Sequence, residues 1–354
     1  MVLIGLGYYF FKDKRKQLMR LPEHEVKKIV VFRALQLGDL LCSIPAIRAL
    51  RQGYPNAQIT LVCLPWAKFL AERFPSYINS FISFPGYPGL PEQAFDLNSF
   101  ISFLATIQQQ QFDLSIQMHG NGTIANPLMA LFGARFMAGF YKKDQYLPNN
   151  NYFIEYPNDL PEIKRHLELM QHLGIDANGT QMEFPLIEKD YSHLQEADLG
   201  LTPKEYVCIH PGSRGEERRW APEHFATLAD FCIEKGFKVV VTGTKDEAGI
   251  VQNVINHMKN QPINAAGKTT LGAAGVLIKD AFALVSNCTG VSHIASALKT
   301  RSIVISLDGE PQRWAPLDKE LHTTIDWTTP NDFNAVLKVA ERLFGKKPIT
   351  YLGD

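Results

Sequence analysis

Three short stretches of this chain carry side chains whose types and order suit a phosphorylated substrate. In the first, Cys288, Thr289 and Gly290 stand between a strand-like apolar run and a helix-like run carrying His293. That order places backbone N–H groups, a hydroxyl and an imidazole at a helix N-terminus, where unpaired donors and the helix dipole can hold a phosphate. In the second, Ser213 and Arg214 precede Arg218 and Arg219 in a loop ahead of Trp220 and Pro222. Arginines at a strand end can clamp a pyrophosphate and neutralise the charge it gathers as a leaving group. In the third, Asp39 follows the apolar run 29–32 through a loop ending in Gly38, a residue suited to a tight turn. A carboxylate near a helix N-terminus stays ionised at neutral pH and can take the proton from an attacking hydroxyl. Two phosphate-friendly strand ends late in the chain and one acid early imply chemistry on a nucleotide-sugar, in a site between two domains.

Each of these residues also has an ordinary use. Asp39 or Ser43 can cap the helix that Pro45 helps to begin. The arginines can pair with Glu216 and Glu217 on a solvated loop. His293, beside Ile294, Ala295 and Ala297, can be a core histidine. Cys288 can be a thiolate at a helix N-terminus, with His293 as the one partner that can be placed beside it. Neither GxGxxG nor GxxxxGK[ST] occurs, and the ten histidines fall into no HExxH or HxxxH pattern. No dinucleotide cofactor and no metal are expected.

Apolar runs of strand length alternate with helix-like runs, the pattern of parallel βα units. Strands are predicted at 29–32, 59–63, 81–84, 114–118 and 135–140, then at 206–209, 238–241, 283–286 and 303–307. Helices are predicted at 40–51 and 66–74, and later at 222–235, 247–259, 271–278 and 292–298. Parallel sheets bind ligands beyond the carboxyl ends of their strands, where all three stretches lie. The predicted organisation is a leader over 1–25, a first Rossmann-like domain over 26–188 and a linker over 189–204. A second Rossmann-like domain follows over 205–329, with a final helix in 330–354 that Thr329 can cap.

Lysine plus arginine and aspartate plus glutamate both number 36, so no net field draws in nucleic acid. The five cysteines are odd in number and lack a CxxC; Cys63, Cys208 and Cys232 sit in apolar runs. That usage suits a reducing, cytoplasmic compartment. The first eleven residues are apolar and are followed by Lys-Asp-Lys-Arg-Lys. The run is too short to span a bilayer, yet it suits peripheral contact with a membrane surface.

From residue 28 to residue 344 the chain resembles glycosyltransferase family 9, the lipopolysaccharide heptosyltransferases. Segments 31–62, 112–121, 133–140, 210–225 and 266–298 match the family's elements in the family's order. The resemblance implies a GT-B fold, two Rossmann-like domains facing a cleft, with the last helix packing back on the first domain. It implies inverting transfer of a heptose from ADP-heptose to a lipopolysaccharide-core or related saccharide acceptor. By position it makes Asp39 the general base and Arg218 the residue that neutralises the leaving phosphate. Ser213, Thr289, Gly290 and His293 become donor contacts, beside the Arg214 that the loop's own charge pattern offers to the donor, with Thr269 near the nucleotide base. Two departures stand out. Cys288 replaces an aspartate that touches the donor sugar, and 307–316 replaces a Phe-Gly-Pro-Thr segment. Asp308 or Glu310 is expected to supply the missing carboxylate. The Cys288 change also leaves open a family member with another nucleotide-sugar donor, or a sugar-nucleotide-binding scaffold without catalysis.

Overall fold

Runs such as Lys-Ile-Val-Val-Phe and Ser-Ile-Val-Ile-Ser are apolar nearly throughout, as a strand must be when helices cover both faces of its sheet. The computed structural model describes residues 21, 23–149, 151–177, 179–330 and 332–345. The expected membrane contact of the leader lies in 1–20, outside the described residues. In the first half, β1 (Lys28–Phe32), β2 (Gln58–Cys63), β3 (Ser80–Ser83), β4 (Leu114–Gln117), β5 (Phe136–Tyr141) and β6 (Phe153–Glu155) form one parallel sheet. Its order is β3-β2-β1-β4-β5-β6. In the second half, β7 (Tyr206–His210), β8 (Lys238–Val241), β9 (Ile263–Asn264), β10 (Ala283–Asn287), β11 (Ser302–Ser306) and β12 (His322–Asp326) repeat the plan. That sheet reads β12-β11-β10-β7-β8-β9. Strand order therefore reverses between β1 and β4, and again between β7 and β10. Those two switch points are where such sheets open a crevice for ligands.

The first sheet carries α1 (Leu37–Gly53), α2 (Lys68–Ala71), α3 (Leu97–Gln109), α4 (Ala125–Ala130) and α5 (Glu162–His172). After α6 (Glu188–Glu196), the second carries α7 (Pro222–Glu234), α8 (Ala248–His257), α9 (Leu271–Asp280), α10 (Gly290–Ala297), α11 (Pro311–Trp314) and α12 (Phe333–Phe344). Among the described residues, no helix is long and apolar enough to cross a membrane.

Three expectations change. The stretch expected as a linker begins as helix α6, which packs against α9. Its Asp190 is buried and takes a two-pronged bond from Arg73 of the first half, at 2.5 and 2.6 Å. A buried carboxylate needs such a partner, so this segment is fixed rather than loose. The last helix lies on the second domain, not the first. Phe344 meets Phe237 and Phe282, and Phe333 stacks on Trp220. Asp332, not Thr329, caps it, by accepting from the Ala335 amide. Finally, α1 starts at Leu37, so Pro45 lies inside the helix rather than at its beginning.

Candidate active site between the two domains

Helices α1 and α10 meet end to end across the domain boundary, each with its N-terminus toward the same cavity. Two glycines permit this approach. A Cβ on Gly38 would lie 2.6 Å from the His293 ring, and one on Gly290 would lie 2.8 Å from the Leu37 side chain. Gly38 is therefore required by a close contact, whereas its neighbourhood to β1 suggested a turn. The cavity encloses roughly 540 Å³. Asp39, Ser213, Arg214, Arg218, Cys288, Thr289, Gly290 and His293 all line it. Thr269 does not; it precedes Thr270, which caps α9 by accepting from the Ala273 amide.

On the second-domain side, Asn287 at the end of β10 ties the two phosphate-type loops together. Its side chain accepts from the Trp220 amide at 3.0 Å and donates to the Pro211 carbonyl at 2.8 Å. Arg219 donates to the Ser213 carbonyl at 3.0 Å, so it holds the loop and leaves Arg214 and Arg218 to face the cavity. Those two are exposed, and among the described residues neither forms a salt bridge with Glu216 or Glu217. Thr289 is the N-cap residue of α10, and its side chain makes no capping bond. The Ser292 amide turns back to the Thr289 carbonyl at 3.0 Å, which leaves the Gly290 and Val291 amides, at the very start of α10, without helical acceptors.

Cys288 departs from its thiolate reading, and His293 is an uncharged ring in the same wall. The Cys288 thiol is pushed up to about 12, first by burial and then by Asp308. It is a neutral thiol, not a helix-end thiolate. His293 is buried, and burial lowers it to about 4, so its ring is neutral at pH 7. Its Nδ1 lies 3.7 Å from the Cys42 sulfur. Of the two acids expected to replace the missing carboxylate, Asp308 lines the cavity. Glu310 does not; it takes the Trp314 indole N–H at 3.2 Å.

On the first-domain side, Asp39 sits in the first turn of α1, and Gln36 is the N-cap residue. Asp39 is therefore not a cap. Burial raises its pKa above the ordinary aspartate value, with Arg33 opposing the rise. Sequence reasoning missed the cluster beneath it. Arg33 is fully buried, donates to the Asp39 carbonyl at 2.7 Å and to the Met118 carbonyl, and stands 3.8 Å from the Asp39 carboxylate. Its second Nη lies 2.9 Å from Glu162, which is 2 % exposed. Arg165, His166 and Arg313 also converge on Glu162, at 3.3, 3.2 and 2.9 Å. An arginine directly after a strand and a glutamate opening a helix were the available signals. Nothing in their spacing joins residues 33, 162 and 313.

Buried histidines make the fold acid-sensitive. Burial is the first cause of lowering for His119, to about 3, and for His166, to about 4, as for His293. The unfolded chain protonates them near pH 6.5 while the fold does not, so their stability is present above that pH and is lost as pH falls toward the folded values. Three such groups give a limiting slope of about 4 kcal/mol per pH unit. Thermal melting in buffers of constant ionic strength should show the midpoint falling steeply between about pH 6.5 and pH 5. A flat profile would mean that these rings take up protons at the same pH in the folded and the unfolded chain.

Two parallel-sheet domains with a polar cavity between their strand ends define a GT-B protein. The family model for glycosyltransferase family 9 (heptosyltransferase) matches residues 100–334. The chain belongs to that family and is a glycosyltransferase. It is 27% identical over 317 residues to lipooligosaccharide heptosyltransferase 2 of Haemophilus ducreyi, covering 83% of this chain and 87% of the relative. A solved family 9 glycosyltransferase from Veillonella parvula superposes with a TM-score of 0.78 at 21% identity, covering 92% of this chain and 98% of that one. The Escherichia coli ADP-heptose lipopolysaccharide heptosyltransferase II superposes with a TM-score of 0.72 at 20% identity, covering 90% and 98%.

Proposed function

We propose that the protein is an inverting heptosyltransferase, moving heptose from ADP-heptose to a saccharide of the lipopolysaccharide-core type. The observation that carries this reading is one cavity holding a first-domain carboxylate, Asp39, together with two exposed second-domain arginines and the α10 N-terminus. Asp39 takes the proton of an acceptor hydroxyl as its oxygen bonds to the anomeric carbon. The bond from that carbon to the diphosphate breaks on the opposite face, which inverts the centre. Charge gathers on the departing phosphate, where Arg218, Arg214 and the α10 amides stabilise it. These groups supply the positive charge, so the reaction as proposed needs no metal. The named relatives support heptose as the sugar and adenosine diphosphate as the carrier. They also support an acceptor of the lipopolysaccharide type, and we place the reaction at the cytoplasmic face of a membrane.

Asp308 deepens the reading. Ser306 and the Glu310 amide both bond one of its oxygens, Oδ1, at 2.8 and 3.1 Å. The carboxylate stands beside Cys288 at the cavity wall and can accept sugar hydroxyls that a thiol cannot. Calorimetry with ADP, UDP, GDP and ADP-heptose tests both points. The expected result is binding of ADP and ADP-heptose alone, with Asp308→Asn weakening ADP-heptose about tenfold and ADP hardly at all. A preference for UDP or GDP would keep the enzyme class and remove heptose transfer. Equal losses for ADP and ADP-heptose would take Asp308 off the sugar.

A further inference from the structure

The cluster under Asp39 is not confined to one domain. Arg313 belongs to α11, in the same second-domain turn that gives Asp308 and Trp314 to the cavity wall. Its Nε donates to Glu162 Oε2 at 2.9 Å and its Nη2 to the Tyr156 hydroxyl at 3.1 Å, both in the first domain. The other carboxylate oxygen of Glu162, Oε1, accepts from Arg33 at 2.9 Å. Arg33 in turn grips the Asp39 main chain and faces its carboxylate. A continuous chain of charged contacts thus runs from the wall of the donor side to the candidate base on the acceptor side.

Charge counting shows what Arg313 adds. Within the first domain, Arg33 and Arg165 balance Glu162 and an ionised Asp39, with His166 held neutral by burial. Glu162 is therefore already paired without help from across the cleft. Arg313 brings one further positive charge to the buried side of Asp39, partly offset by Glu310 at 3.5 Å from its guanidinium. A third cation is not needed to neutralise an already neutral cluster. It does favour the charged form of a nearby carboxylate. The other half of the bridge is mechanical. Two-pronged contacts of an arginine restrict geometry as well as charge.

We propose that Arg313, Glu162 and Arg33 form a positioning relay, through which docking of the donor-side α11 turn seats the Asp39 carboxylate and keeps it ionised. None of the three touches the reacting atoms; they act through Asp39. The relay rests on the proposed role of Asp39 as base. It makes competence of the acceptor side depend on the donor side being in place, so that the base is set when the second domain has closed over its ligand.

Arg313 is the residue to change, because it is partly exposed and Glu162 keeps its other partners without it. Removing Arg33 or Glu162 would strand a buried charge, a change large enough to unfold the protein. With the full chain, Arg313→Met should lower kcat roughly 10- to 100-fold while the ADP dissociation constant moves less than about threefold; Arg313→Lys should recover part of the loss. Hydrogen exchange of the amides in 36–40, with ADP bound, should be several-fold faster in Arg313→Met than in wild type. An unchanged kcat, or a loss of ADP binding matching the loss of turnover, overturns the relay. So does unchanged exchange. If the wild-type protein turns over no nucleotide-sugar at all, the functional reading fails separately, and the exchange rates alone decide whether Arg313 seats the base.

Discussion

Asp39→Asn should lose about three orders of magnitude in kcat while binding ADP within about threefold of wild type. Asparagine keeps the size of the side chain, and the Arg33 bond to the main chain of residue 39 does not depend on the carboxylate. The substitution removes the negative charge that faces Arg33, and with it the capacity to accept a proton. Turnover and binding therefore separate, whereas a variant that disturbed α1 would lose both. The pH profile gives a second reading of the same group. Burial raises the Asp39 pKa, so the acid limb of wild-type kcat should lie above the usual aspartate range. Below that limb the base is protonated and the rate falls about tenfold per pH unit. In Asp39→Asn the limb should vanish along with the activity it reports. Full activity in the variant, or an acid limb that survives the substitution, would remove Asp39 from the chemistry.

The central strands were legible because burial on both faces forces near-continuous apolar runs, and all nine expected strands lie within one residue of observed ones. The three that escaped notice, β6, β9 and β12, lie at sheet edges and are only partly buried, and β6 and β9 are also short. Their apolar pattern is diluted by the solvent they face. The site was legible for a related reason. Strand ends in a parallel sheet face one way, so hydroxyls, arginines and an acid placed after strands must gather at the same cleft. The relay beneath Asp39 was illegible because its members come from the loop after β1, from α5 and from α11, and only tertiary packing brings them together. The position of α12 misled for the opposite reason. Its apolar face at 333, 336, 337, 340 and 344 was plain, but periodicity shows that a face is buried and not what buries it. The aromatic cluster of Trp220, Phe237 and Phe282 supplied the nearer surface.

Arg218→Ala should weaken ADP binding about tenfold and lower kcat roughly a hundredfold. The two losses differ because the charge that Arg218 meets is not constant. In the bound donor the phosphate next to the sugar is esterified; as the anomeric bond breaks, that oxygen becomes an anion and the arginine gains attraction. A group that binds a growing charge contributes more to the transition state than to the ground state. Arg218 is exposed in the 3-10 turn Glu216–Arg218, so its removal should leave folding intact, and the melting midpoint should barely move. Arg218→Lys should retain most activity, since a point charge can replace the guanidinium where one phosphate oxygen is the target. AMP supplies the control. It lacks the outer phosphate, so its affinity should be the same for wild type and Arg218→Ala. If AMP and ADP lost affinity equally, Arg218 would be acting on the nucleoside or on the loop, and Arg214, the other exposed arginine in the cavity, would be the one that meets the leaving phosphate.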